Sequence, residues 1–407
     1  MMHQRLNLER FPVSRERLAQ LFVELAKIPS PSRNERAIAN RVGGLLETLG
    51  CPVHEDDTGR VVGGDTGNLY CVVGKTVSSP CVALVTHLDT VATTGSIEPV
   101  LDKEGLFRNA QPAILGADDK AAVAAVLHAT EILVQSGEEF PPYELVFTVC
   151  EEIGLLGSRH LSPEIPQSGM AVALDSSGPV GGIVVRAPSH KLLKASFRGV
   201  AAHAGLDPEN GRSAVLAASR AVAAMRLGRL DEQTTANVGI IRGGVAPNIV
   251  PDQCEIEGEC RSHDDNRLAQ VAGEMVDAIQ AAAAQTGVDV EIHLEHEYSA
   301  YALENDSPTV KLAQAAIKAT ALEPQLLAGG GGSDANVLNA RGIATVNLSA
   351  GMMRVHSSEE YVSLDELEKL CWVVVAIVLL APFYASGPAR SPDASPIRAC
   401  KTGTSEQ

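Results

Sequence analysis

Acids and histidines recur along the chain in short clusters: His87 with Asp89, the adjacent pair Asp118-Asp119, the adjacent pair Glu151-Glu152, then Asp175, and much later His356. Two like charges held side by side at the end of an apolar run must be neutralised, by solvent and Arg/Lys partners or by a metal. Imidazoles and carboxylates together are the ligands that divalent ions such as zinc take, and a surplus of carboxylates lets one of them bridge two ions. Metal-assisted chemistry is therefore what this series could perform, provided the fold brings it together.

The elements that must do so are legible around each cluster. Leu145 to Val149 is a β-branched and aromatic run bounded by Pro141-Pro142 and Gly154, a short buried strand that ends in Glu151-Glu152. Strands are also predicted over Leu69 to Val73, over Cys81 to Val85 leading into His87, over Met170 to Leu174 leading into Asp175, and over 343–347. Between them lie amphipathic helices: Ser14 to Ile28 with Ser14 as N-cap, about Asn34 to Leu49 closed by Gly50, a long helix opening at Asp118-Asp119-Lys120, and helix 307–320. Strands alternating with helices predict an α/β sheet covered on both faces, and in a mainly parallel sheet the residues just past the strands converge on one rim.

From His190 to Leu294 the pattern becomes strand, helix, strand, strand, helix, strand, the ferredoxin-like order, so a self-contained domain is inserted here. The expected organisation is a catalytic domain in two parts, 1–186 and 297–386, an inserted α+β domain over 187–296, and a Pro/Ser/Ala-rich tail over 387–407 that lacks the composition to fold.

Composition narrows the partners. With 50 acidic and 33 basic residues among 407, a net charge of -17, and 3% aromatics, the chain repels phosphate backbones and lacks stacking platforms, so nucleic acid and anionic membrane are disfavoured. The N-terminus shows no secretory pattern, and the longest apolar run, Leu370 to Ala385, is too short to span a bilayer. It follows Ser363-Leu-Asp-Glu366, a helix-capping pattern, and reads as a final core helix. The eight cysteines include no C-x-x-C pair and several lie in apolar strands, which suits buried thiols in a reducing cytoplasm.

Taken in order, His87-Leu-Asp89, Gly116-Ala-Asp118-Asp-Lys120, Glu151-Glu152, Asp175 and His356 resemble the co-catalytic zinc set of the M20 metallopeptidases. Ile28-Pro-Ser-Pro31 and Thr66-Gly-Asn-Leu69 look closest to the peptidase T branch, and the resemblance covers about residues 14 to 385. It implies a mixed-sheet zinc-exopeptidase-like domain with an inserted lid or dimerisation domain, and two divalent metals per subunit, zinc with manganese or cobalt as alternatives. His87 and Asp175 would hold one metal, Glu152 and His356 the other, and Asp118 would bridge them. Asp89 would stand behind His87, and Glu151 would be the general base that deprotonates a water bridging the ions.

The inserted domain carries Arg198-Gly-Val-Ala-Ala-His203, Asn248 within Ala246-Pro-Asn-Ile-Val-Pro251, and Arg261. By the resemblance His203 and Asn248 reach the substrate, His203 from the partner in a homodimer, and Arg261 clamps a carboxylate. The implied activity is removal of the N-terminal residue of short peptides. An amidohydrolase on N-acyl amino acids or a carboxypeptidase with the same metals is the alternative. A non-catalytic member of the same fold is opposed by the presence of Glu151 and the whole ligand set. Gly329 to Gly332 with Ser333 and Asp334 lacks both the Lys-Ser/Thr of a phosphate loop and the spacing of a dinucleotide fingerprint; the resemblance places it beside the substrate.

Overall fold

The computed structural model describes residues 8–74 and 79–385. The tail from 387 lies outside the described residues.

Four parallel strands form the middle of a nine-stranded mixed sheet: Tyr143–Thr148, Ala83–His87, Met170–Ser176 and Ala344–Ser349, in that spatial order. Leu69–Val73 and Val53–Glu55 extend it antiparallel on one side, and Gly182–Ala187 with Tyr301–Ala302 on the other; Gln325–Ala328 pairs parallel to Gly182–Ala187. Strand alternation sends Leu84, Leu145, Phe147 and Val172 to one face and Ala83, Val85, Val146 and Ala171 to the other. Both faces are buried, as a central parallel sheet requires. The first face packs under helices Arg15–Ala26, Ala117–Gln135, Pro308–Ala319 and Leu364–Leu380, and the second under Asp334–Ala340.

Local chemistry sets where these helices begin. Ser14 Oγ accepts from the Arg17 N–H at 3.3 Å, and Ser363 Oγ from the Glu366 N–H at 3.0 Å. The final helix thus starts at the predicted cap. No helix among the described residues is long and apolar enough to cross a membrane.

Residues 189–298 form a separate five-stranded antiparallel sheet, ordered Gly228–Asp231, Thr234–Gly243, Gln253–Ser262, Ser189–Arg198, Asp289–Tyr298. Apart from the short edge strand Gly228–Asp231, its order is ferredoxin-like. Helices Ala214–Ala224 and Asp265–Thr286 cover one face and share with it a core of their own that includes Phe197, Ile256, Met275 and Ile279. The molecule is therefore a mixed α/β domain carrying an inserted α+β unit. A small antiparallel sheet joins Met352–Met353, Tyr361–Ser363, Leu106–Asn109 and Pro99–Leu101. The sequence pattern does not reveal this sheet, because its strands have two to four residues and no period to detect.

Candidate metal centre and active site

The four central strands share one direction, so their C-terminal ends open on one edge. His87 is the last residue of its strand, Asp175 lies near the end of the next, and Glu151-Glu152 follow the end at Thr148. Asp118 stands at the head of the helix Ala117–Gln135, and the segment after Ala344–Ser349 brings His356 over the same edge.

Two donor groups result, each with ligand atoms within 4.8 Å of one another: His87, Asp118 and Asp175, and Asp118, Glu152 and His356. His87 Nε2 lies 3.1 Å from Asp118 Oδ1 and 3.5 Å from Asp175 Oδ1. His356 Nε2 lies 3.2 Å from Asp118 Oδ2 and 3.1 Å from Glu152 Oε2. Each oxygen of Asp118 thus faces a different imidazole. Nitrogen and oxygen donors at this density, all but the half-exposed His356 largely shielded, fit divalent metal ions. The carboxylates favour the charged form of both imidazoles: His356 is pushed up to about 10 by Asp118 and Glu152, and His87 is raised because its three carboxylate partners outweigh its burial.

Asp89 acts by a route different from the simplest expectation. His87 Nδ1 lies 3.0 Å from the backbone carbonyl of Asp89 and 3.4 Å from its carboxylate. The carboxylate is used mainly elsewhere: it accepts from the N–H of Glu151 at 2.9 Å, the N–H of Glu152 at 3.1 Å and the Ser32 hydroxyl at 2.6 Å. Asp89 therefore orients His87 and also fixes the turn that carries both glutamates. Asp119 supports the same histidine, its carboxylate accepting from the His87 N–H at 3.2 Å.

Strand alternation would send Glu151 and Glu152 to opposite sides, yet both line one cavity. Pairing has ended at Thr148, and Cys150 turns the chain with a positive φ of 54°. Glu35 holds this turn from behind, accepting from the Cys150 N–H at 3.0 Å. Glu151 is buried, and that burial, with the negative charge of Asp175 next, raises its pKa well above the carboxylate range.

The cavity, of about 480 Å³, is bounded by Asp118, Glu151, Glu152, Asp175 and His356 on the sheet side, by Gly331-Gly332 at one end, and by His190, Leu192, Glu259, Arg261, Glu297 and Tyr298 of the inserted unit. Arg261 lines this cavity with its guanidinium engaged: its Nε and Nη2 lie 3.1 and 2.9 Å from Glu259. His203 and Asn248 do not line the cavity; they sit on exposed backbone paired through Ala202–His203 and Ile249–Val250. Gly332 is required where it stands, since a Cβ would come within 2.2 Å of the Tyr298 ring. Ser333 and Asp334 are buried; Ser333 caps the helix that follows and Asp334 bonds Thr148.

Sequence reasoning missed His190, Glu259, Glu297 and Glu360. The Glu360 carboxylate accepts the N–H groups of Leu115 at 2.7 Å, Gly116 at 2.8 Å and Asp118 at 3.0 Å, holding the turn before the shared ligand. Its one sequence signal is proximity to His356. His128 has a structural part, its Nε2 accepting from the Ser14 N–H at 3.1 Å.

Comparison with known proteins bears on the family and the fold. A family model described as a peptidase dimerisation domain matches residues 189–287, and one described as peptidase family M28 matches residues 68–213. The chain is 37% identical over 366 residues to the Bacillus subtilis (strain 168) protein "Uncharacterized protein YqjE", covering 90% of this chain and 98% of that one. Among solved structures, aminopeptidase PepT from Bacillus cereus is 35% identical with a TM-score of 0.78, and a tripeptidase from Staphylococcus aureus is 33% identical with a TM-score of 0.84. Each alignment covers 91% of this chain and 99% of the other. Fold, donor set and these likenesses together define a metallopeptidase. The chain belongs to the M20 family, on its peptidase T-like branch.

Proposed function

We propose that this chain removes the N-terminal residue from short peptides, as an aminotripeptidase does, using two divalent cations, zinc first among them. The observation that carries the two-metal reading is the double membership of Asp118 in the donor groups, His87 and Asp175 completing one and Glu152 and His356 the other. When bound, such ions supply Lewis acidity that polarises the scissile carbonyl and lowers the pKa of the attacking water towards neutrality.

On the sheet side of the cavity, Glu151 is the remaining acid with no place in either donor group. A buried carboxylate whose pKa is raised takes a proton readily, so Glu151 accepts it from the water and passes it to the leaving amine. Asp89 keeps both glutamates on station through their N–H groups. Arg261 faces the cavity opposite the donor groups and binds the peptide's carboxylate. His203 and Asn248 lie away from this chain's own cavity, which supports their action from a second copy; residues 187–296 then serve as lid and homodimer interface between catalytic segments 1–186 and 297–386. The described cysteines are free thiols, in keeping with a cytoplasmic setting.

A peptide panel tests the reading. The purified protein loaded with zinc, manganese or cobalt is expected to cleave tripeptides with free N-termini and to leave their N-acetylated counterparts intact. Equal cleavage of acetylated peptides would turn the assignment towards an acyl-amino-acid amidohydrolase, and hydrolysis of neither would end it.

A further inference from the structure

The wall of the inserted unit that faces the donor groups holds a chain of ionisable side chains. Register places His190 directly opposite Arg261 on one neighbouring strand and Tyr298 on the other. This row lies on the face without helices, because the intervening Leu193, Ala195 and Phe197 are packed in the helix-covered core. His190 Nε2 hydrogen-bonds Glu259 at 3.0 Å, and Nδ1 lies 2.9 Å from Glu297, close enough for an ion pair but outside hydrogen-bond geometry. Two carboxylates flanking one imidazole favour its charged form. Burial works to lower the pKa of His190, and its two carboxylates outweigh that and raise it. Glu259, bonded by His190 and Arg261, is drawn down to about 2.

From Glu297 through His190 and Glu259 to Arg261 the charges alternate and sum to zero, so the chain is internally compensated before substrate arrives. Its two ends meet opposite parts of the cavity. Glu297 abuts Gly154, where a Cβ would come 2.8 Å from its Oε1, two positions beyond the metal-ligand candidate Glu152. At the other end, Nε and Nη2 of Arg261 are taken by Glu259, which turns Nη1 towards Gly331, 3.4 Å from where a Cβ would stand.

We infer that His190 is a specificity-determining positioning residue: through Glu259 and Glu297 it holds Arg261 at one distance from the Glu151–Gly154 turn, so the site selects peptides by the position of their free C-terminal carboxylate. An arginine free on its three-carbon stem would meet carboxylates over a range of distances; a guanidinium already locked by a bidentate partner meets them at one. The inference rests on the reading of Arg261 as the carboxylate clamp.

The test is steady-state kinetics of the full-length, zinc-loaded enzyme and its His190→Gln variant on di-, tri- and tetrapeptides, each as free acid and as C-terminal amide. Metal content and thermal melting are measured alongside. His190→Gln is expected to raise KM for the preferred free acid about tenfold, with a much smaller change in kcat. The preference for one peptide length should flatten, and kcat/KM for the amides should fall far less than for the acids. Equal losses on acid and amide, or an unchanged length profile, would overturn the role of His190 while leaving peptide hydrolysis intact. A wild-type enzyme that does not distinguish acid from amide would instead overturn the Arg261 clamp and this inference with it. Should His190→Gln fail to fold, Glu297→Gln removes one of the same two contacts and is held to the same outcomes, with a smaller shift expected.

Discussion

Asp118 and His356 meet at 3.2 Å with Glu152 at 3.1 Å on the other side, and in the metal-free chain this arrangement stores a proton on the imidazole. A histidine binds metal through its neutral imidazole, so binding has to displace that proton. The pKa of His356 is raised to about 10, so the proton is present throughout the neutral range, and metal affinity should climb with pH until about 10 is passed. Zinc titration at pH 8 in buffers of different ionisation enthalpy should show release of about one to two protons per subunit. Binding without proton release would contradict the ligand assignment. Glu151→Gln, which keeps shape and removes the base, should lower kcat by about 10²–10⁴-fold with metal content unchanged. Glu152→Ala or His356→Ala should lose metal as well, measured by elemental analysis after dialysis.

At the scale of elements, the site depends on strand ends and on what fixes the turns beyond them. The small sheet around Tyr361–Ser363 seats Glu360 under three N–H groups of the Leu115–Asp118 turn. Glu360→Ala would leave these buried donors without their acceptor, at a cost of about 1–3 kcal/mol for each that finds no new partner. Melting temperature should drop by about 5 °C or more, and zinc binding at the Asp118 position should weaken with it. Glu360→Gln, which keeps one oxygen, should lose less. A melt unchanged by the alanine substitution would show that the turn holds itself. The seam of His190, Glu259 and Glu297 has its own pH signature. A raised histidine pKa contributes stability that is complete below about 6.5 and fades as pH rises through the folded value. The depressed Glu259 contributes stability above about 4.5 that is lost as pH falls towards about 2. The His190→Gln difference in melting temperature should therefore be larger at pH 6 than at pH 9.

For the whole molecule the deciding question is where His203 acts. It is exposed, and it does not line its own chain's cavity. If the homodimer supplies it in trans, His203→Ala and Glu151→Gln should each be nearly inactive, yet mixing and re-equilibrating them should restore about a quarter of wild-type activity, since half the dimers then hold one complete site. No recovery in confirmed heterodimers would place His203 outside the reaction.

Much of this was open to reading from residues alone, for a physical reason: caps, turn residues and the period of a strand act over a few positions. The Ser14 and Ser363 caps, the strand Leu69–Val73 and the ferredoxin-like order of the insert all follow from such local rules, and so does the delivery of His87, Glu151-Glu152 and Asp175 to strand ends. What the tertiary structure decided lies beyond that range. Glu360 meets Leu115 across 245 residues, and the His190 to Arg261 wall depends on the register of three strands and on which face they turn towards the metal ligands. The orientation of Glu151 and Glu152 is also tertiary, because past Thr148 no ladder enforces alternation and Asp89 holds both N–H groups instead. The residue types were written in the chain; the place of Asp118 in both donor groups and the opposing charged wall exist only once distant segments pack against one another.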